Sequence, residues 1–309
     1  MFLTVLLSAS VALAQGRGAR PDDAQFPTED ATPPPKYRLW YTNATFVRVN
    51  PLGLVNPTKI GLRTRLSDKT SLLLNDTYAF AGMSTTLTPA WARVGGYAEV
   101  QPLSLIRVFA DVSAMAAYGT FDQILTWDDP SARFSDQTIA DRGSEASPEV
   151  GWTATLGATA RAKAGPIAVR NTVQMTRIDL ALDQDGLFFY DQYWDRLAKD
   201  GGWMWLNDLD LLALAGPVRA GVRYTASRVL DDRPATADSA GTDHRVGPLF
   251  AYQFKGVPHS QKINQTTLFV LAQWWADHPY RTGVEQPGAL PLIAVGFAFN
   301  GDLKTWESF

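Results

Sequence analysis

Residues 149–178 read EVGWTATLGATARAKAGPIAVRNTVQMTRI, and this stretch decides the fold. Before the Ala164-Gly165-Pro166 break one parity is apolar: Val150, Trp152, Ala154, Leu156, Ala158 and Ala160. The other carries Glu149, Gly151, Thr153, Thr155, Gly157, Thr159, Arg161 and Lys163. After the break, Ile167, Val169, Val173 and Met175 oppose Ala168, Arg170, Thr172, Gln174 and Thr176. A period of two puts successive side chains on opposite faces of a strand. Glycine permits a left-handed turn, and proline cannot donate to a ladder, so Pro166 opens a new strand. The stretch predicts two antiparallel strands joined by a tight turn. Each is long enough, when tilted, to cross the hydrocarbon layer of a bilayer.

The same pattern spreads outward. In 105–118, Ile106, Val108, Ala110 and Val112 sort against Arg107, Phe109, Asp111 and Ser113. In all, about twelve segments are predicted as strands: 37–50, 59–66, 70–81, 90–101, 105–119, 149–164, 166–178, 203–215, 217–230, 244–255, 265–277 and 292–301. Tight turns are expected at 67–69, 102–104, 164–166 and 215–217, and longer connections at 51–57, 83–89, 120–148, 179–202, 231–243 and 278–291. Only 256–264 is of medium length where a short turn is due. An even strand count with unequal loops defines an all-β transmembrane antiparallel up-and-down β-barrel, with short periplasmic turns and long extracellular loops. A soluble sandwich would use strands of about five or six residues. A charge on the lipid face costs about 2–4 kcal/mol at mid-depth, which assigns the polar parity to the lumen. Asp76 breaks the pattern, sharing a parity with Leu72, Leu74, Tyr78 and Phe80. It implies a bulge or a place near the outer rim.

Residues 1–14, MFLTVLLSASVALA, are apolar and end in Ala12-Leu13-Ala14, the small-x-small pattern of a signal peptide cleaved before Gln15. Residues 15–36 hold Pro21, Pro27 and Pro33-Pro34-Pro35, the composition of a periplasmic linker. The barrel is assigned to 37–309. The chain has no cysteine, which excludes disulfides, thiolate metal sites and a lipoprotein anchor.

The last strand, Leu292-Ile293-Ala294-Val295-Gly296-Phe297-Ala298-Phe299, with Phe309 at the terminus, resembles the C-terminal targeting strand of bacterial outer-membrane β-barrel proteins, a porin-like class. Residues 301–309 extend past the part that matches. The resemblance implies the outer membrane of a Gram-negative bacterium, contact with lipid and lipopolysaccharide, and delivery by the barrel-assembly machinery.

Charge is segregated along the chain. The loops 120–148, 179–202, 231–243 and 278–290 hold 17 acids against 6 bases. The rest of the chain from residue 37 holds 19 bases against 10 acids. Most of those bases fall on the lumen parity. The expected pore-lining set is Arg63, Arg65, Arg107, Asp111, Arg161, Arg170, Asp208, Asp210, Arg219 and Arg223. A net cationic lumen favours small anionic solutes, and the expected function is a narrow passive channel. Two other readings stand beside it. Asp208 facing Arg223, with Asp210 diagonal to Arg219, would plug the barrel and leave the acidic loops as an adhesion or receptor surface. A lipid-modifying hydrolase needs a histidine beside a serine or a metal-bound water. The three histidines, His244, His259 and His278, sit in no such motif, so no enzyme activity and no cofactor are expected. The Asp179, Asp183, Asp185 run lacks the EF-hand glycine and glutamate. No nucleic-acid partner is expected. Loop 120–148 is long enough to fold inward and constrict the bore.

Overall fold

Twelve long strands close on themselves in a computed structural model that describes residues 35–69, 71–121, 124–129, 132–182, 188–230, 241–254, 263, 265–283 and 287–307. The predicted signal peptide, nearly all of the predicted linker, His259 and Phe309 lie outside the described residues. The elements are β1 (Tyr37–Val49), β2 (Gly53–Arg65), β3 (Tyr78–Leu87), β4 (Trp91–Leu103), β5 (Ile106–Tyr118), β6 (Thr126–Trp127), α1 (Asp136–Arg142), β7 (Pro148–Ala164) and β8 (Ile167–Leu180). They continue with β9 (Phe188–Asp191), β10 (Arg196–Lys199), β11 (Trp203–Ala215), β12 (Val218–Leu230), β13 (Asp243–Phe254), β14 (Gln265–Asp277) and β15 (Leu292–Trp306). Around the barrel the order is β1, β2, β3, β4, β5, β7, β8, β11, β12, β13, β14, β15 and back to β1. Every neighbouring pair is antiparallel. The seam runs from Val49↔Ile293 to Tyr37↔Trp306, with a bulge between Leu39 and Trp40.

The inferred parities hold. Val112 and Val150 point outward and are 60% and 61% exposed, while Thr153 on the opposite parity is 2% exposed. Exposed apolar side chains continue around the wall, among them Val94, Leu156, Leu211, Val222, Val295 and Phe297. A soluble monomer rarely presents a continuous apolar girdle of this kind. A closed barrel bonds every backbone group internally, as hydrocarbon requires. The molecule is therefore built to span a membrane. Both Ala-Gly-Pro sequences form two-residue turns, with Gly165 and Gly216 at φ +57° and +56°. Inside, the Phe109 ring lies flat over Gly157, where an added Cβ would come within 2.3 Å of the ring.

The first three strands depart from expectation. β2 begins at Gly53, inside the predicted loop 51–57, and residues 71–76 form turns where a strand was predicted. β3 lies further on and takes up most of the predicted loop 83–89. The hairpins at 50–52 and 88–90 are tight, and the connection 66–77, on the side of the termini, is long. Short turns on that side and long loops opposite thus hold for the later strands only. Pro57 misleads here. It sits inside β2 without a ladder donor, and the Asn56 amide takes over by donating to Ala44 O (2.9 Å) and Thr45 Oγ1 (2.7 Å).

The opposite end carries a cap. β10, β9 and β6 form a small sheet. α1 is N-capped by Ser135, whose hydroxyl accepts from the Thr138 amide (3.2 Å). Leu125, Trp127, Phe134, Ile139, Phe188, Tyr190 and Leu197 form its apolar core. Loop 120–148 sends Ile124 into the interior cluster. It packs through β6 on β9, and the β9–β10 hairpin turns inward, burying Tyr193 and Trp194 in the same cluster as Phe46, Trp91 and Phe269.

Candidate functional site

The interior-facing parity brings charged side chains into groups stacked along the barrel. Toward the termini, Asp76 folds inward from the 66–77 connection. Its carboxylate accepts from Arg161 Nη2 (2.8 Å) and Gln101 Nε2 (2.9 Å) and lies 3.6 Å from Arg63. Asp76 is therefore neither in a bulge nor at the outer rim. The chain turns at 71–76, with the Asn75 amide donating to Ser71 O (3.0 Å). Arg65 reaches the exposed Asp68 (2.5 Å). Arg219 donates to the carbonyls of Gly216 and Val218 and to Gln253 Oε1 (3.1 Å).

Two carboxylate centres follow in the body of the barrel. On one wall, Glu99 accepts from Tyr78 Oη (2.7 Å) and Tyr97 Oη (2.5 Å) and pairs with Arg107 at 3.7 Å. Lys59 Nζ stands 3.5 Å over the Tyr97 ring. Asp111 accepts from the hydroxyls of Ser84 and Ser113. On the other wall, Asp210 is clamped between two arginines. Arg223 donates through Nε (2.6 Å) and Nη2 (2.9 Å), and Arg170 donates through Nη2. Asp208 accepts from Thr225 Oγ1 (2.5 Å) and is 3.8 Å from Arg223.

The expected pairing across the Gly216 turn is thus corrected by two residues of register. Asp210, not Asp208, faces Arg223, Asp208 faces Thr225, and Arg219 faces Leu214. The turn holds two residues, Gly216 and Pro217, and its place in the sequence sets the register. Asp210 and Arg223 are 0% exposed, so water does not reach this level in the conformation described.

Arg48, Arg93 and Arg245 face the cap. Arg48 donates to the carbonyls of Tyr193 (2.9 Å) and Gln192 (2.6 Å), and its guanidinium lies 4.9 Å from the centre of the Tyr193 ring. Arg93 stacks on Trp91 and Arg245 on Trp275. The cap acids Asp191 and Asp195 both act on Arg48, Asp191 and the wall acid Asp111 act on Arg93, and the wall acids Asp243 and Asp208 act on Arg245 ahead of Asp195. Among the described residues no carboxylate lies within 4.0 Å of the guanidinium of Arg48, Arg93 or Arg219. The cap is itself fastened by Arg281. Its guanidinium donates to Asp195 (2.6 and 2.9 Å), Asp136 (2.9 and 3.1 Å) and Asn50 Oδ1 (2.8 Å). Asp195 also accepts from Tyr190 Oη (2.8 Å).

The histidines serve packing and bonding. His244 Nδ1 lies 2.6 Å from Tyr224 Oη, and His278 Nε2 lies 3.0 Å from the Asp195 carbonyl. Neither bonds the aspartate that precedes it. Among the described residues no group of three potential ligands could hold a metal ion. Arg48, Arg93 and Arg245 were not in the expected pore-lining set, and the cap that covers them was not expected either. The loop 179–202 carried a signal, since structureless connections longer than about 12–15 residues are uncommon and usually functional.

Fold and girdle define the class: a membrane-spanning antiparallel β-barrel with a charged interior. No known family and no curated protein matches the chain. Among solved structures it is similar to the translocator domain of the autotransporter NalP from Neisseria meningitidis, at 12% identity and a TM-score of 0.39, covering 97% of this chain and 94% of that one. It is similar to the Pseudomonas putida toluene transporter TodX, at 8% identity and a TM-score of 0.32, covering 94% and 96%. The outer membrane protein OprD from Pseudomonas aeruginosa matches at 8% identity and a TM-score of 0.28, covering 93% and 96%.

Proposed function

We propose that the chain is a narrow, capped channel of a Gram-negative outer membrane that passes small anionic solutes when its cap lifts. The observation that carries this reading is the arginine set under the cap. Arg48 meets the cap carbonyls of Gln192 and Tyr193, and the cap acids Asp191 and Asp195 act on Arg48, Arg93 and Arg245 beside the wall acids Asp111, Asp208 and Asp243. The cap thus takes the place of an anion. Once it moves, the guanidinium groups of Arg48 and Arg93 face the bore at a narrow point, where water screens them little. Maturation at Gln15, a periplasmic linker over 15–36, contact with lipopolysaccharide and delivery by the assembly machinery belong to the same reading.

Planar-bilayer recording tests it. The intact protein is expected to open rarely. A variant with the β9–β10 hairpin replaced by a Gly-Ser linker is expected to conduct steadily, with a reversal potential on the anion side in a salt gradient. Adding Arg48→Gln and Arg93→Gln to that variant should move the reversal potential toward cations. The competing reading is a barrel plugged for good by the Asp210 and Glu99 centres, with its acidic loops acting as an adhesion or receptor surface. It predicts no conductance even without the hairpin, and that result would sink the channel.

Orientation has its own test, since the chain lacks cysteine. A cysteine at Gln137, exposed on α1, should react with an impermeant maleimide on whole cells. One at Gly165 or Gly216 should react only after the outer membrane is broken. The reverse pattern would invert the barrel.

A further inference from the structure

The cap end of the barrel holds a feature that solute passage does not explain. Beside the tight hairpins at 50–52 and 88–90 lies a cavity of about 210 Å³. Val47, Leu52, Leu54 and Phe121 line it from the outer face, where all four are exposed, and Trp91 and Arg48 line it from within. The cavity therefore joins the apolar girdle to the interior. Its walls are mostly apolar, and its one charged group is a buried guanidinium.

The state of Arg48 points to a ligand. Nη1 and Nη2 are engaged by Tyr193 O and Gln192 O. Nε is buried and has no hydrogen-bond partner among the described residues. An unmet charged donor of this kind is costly in an apolar surround. Gly53, which also lines the cavity, leaves the donor clear: a Cβ there would stand 3.0 Å from Nε. A single free N–H donor on a cation matches one oxygen of a carboxylate. The apolar walls match an alkyl chain, and the cavity lies below the range of about 300–1,000 Å³ typical of ligand pockets, so the chain is short or enters only in part.

We propose that this cavity binds a free alkyl carboxylate, with the carboxylate on Arg48 Nε and the chain against Val47, Leu52, Leu54 and Phe121. The site stands apart from the channel reading, since it needs neither conductance nor movement of the cap.

Photolabelling of the full-length protein, refolded in an uncharged maltoside detergent, tests the proposal. The probes are a diazirine-bearing decanoic acid, the matching decanol, and a decanoyl lysophosphatidic acid. The acid is expected to label peptides covering 47–55 and 88–91, with an apparent affinity on the order of tenfold above the alcohol, the worth of one charge-assisted hydrogen bond. Arg48→Gln should lower the acid to the level of the alcohol and leave the alcohol unchanged. Gly53→Leu should weaken both by filling the cavity, and it keeps Arg48 in place should Arg48→Gln fail to show the heat-modifiable gel mobility of a folded barrel. Equal labelling by acid and alcohol in the unaltered protein overturns the proposal. So does acid labelling spread evenly around the outer wall, acid binding untouched by both variants, or stronger labelling by the phosphate-headed probe.

Discussion

Asp210→Ala is expected to destabilise the barrel by about 3–5 kcal/mol, the range found when one partner of a buried charge cluster is removed. Asp210 stands between Arg170 and Arg223, and both arginines are buried with it. Its loss leaves two guanidinium groups facing each other with Asp208, 3.8 Å from Arg223, as the nearest remaining anion. Urea unfolding in detergent, followed by tryptophan fluorescence, measures the loss. Asp68→Ala is the control. That carboxylate pairs with Arg65 at 2.5 Å but is largely exposed, so it should cost less than about 1 kcal/mol. A loss at Asp210 no larger than at Asp68 would mean that the cluster contributes nothing as a unit. Removing all three charges together, with apolar residues of similar volume, should restore most of the stability, because the desolvation of the ions then disappears as well.

Arg281→Ala is expected to free the cap and leave the barrel intact. One guanidinium ties the β9–β10 turn through Asp195, α1 through Asp136 and the first hairpin through Asn50. Without it Asp195 stays buried with the hydrogen bond from Tyr190 and with His278 3.6 Å away, and without a guanidinium bonded to it, at an expected local cost of about 3–5 kcal/mol. Amide exchange across 188–199 should accelerate roughly a hundredfold or more, while exchange in β11 and β12 stays slow. The pH dependence follows from Asp195. Burial alone would raise its carboxyl, but Arg281 first and His278 next outweigh burial and hold it below the usual carboxylate range. A lowered folded-state value gives stability that is complete above the ordinary carboxylate pKa and lost as pH falls through the lowered one. The native cap should therefore stay shut in mildly acidic medium, near pH 4–5. In Arg281→Ala the carboxyl loses its largest favourable charge and burial raises it, so the cap should loosen as pH rises through that raised value. Unchanged exchange in the variant would remove Arg281 from the fastening.

The sequence was legible where local rules act alone. The run 149–178 announces its two strands, because period-two sorting and the Gly-Pro turn agree. The parity of Arg107, Arg170 and Arg223 is legible for the same reason. Partner choice is a different matter. Whether Asp208 or Asp210 meets Arg223 depends on whether the two-residue turn falls on Gly216-Pro217 or one residue earlier, on Ala215-Gly216, and parity is blind to a shift that keeps each side chain on its face. Pro57 and Asp76 misled because tertiary contacts override local signals. An asparagine side chain stands in for the missing ladder bond at one, and a buried arginine pair draws the other inward. The cap was hidden because its contacts join loops far apart in sequence: Arg281 and Asp195 are 86 residues apart.

The seam between β1 and β15 governs the order in which the molecule is made. It aligns Tyr37 with Trp306 and Val49 with Ile293, so the first strand synthesised waits for the last. Until then two strand edges lie open, and open edges pair with whatever chain is nearest. Contacts of such long separation slow folding and prolong exposure to aggregation. A chain cut short before residue 292 would keep β2 to β14 in hairpin register and never close, a polymerising ribbon in place of a barrel.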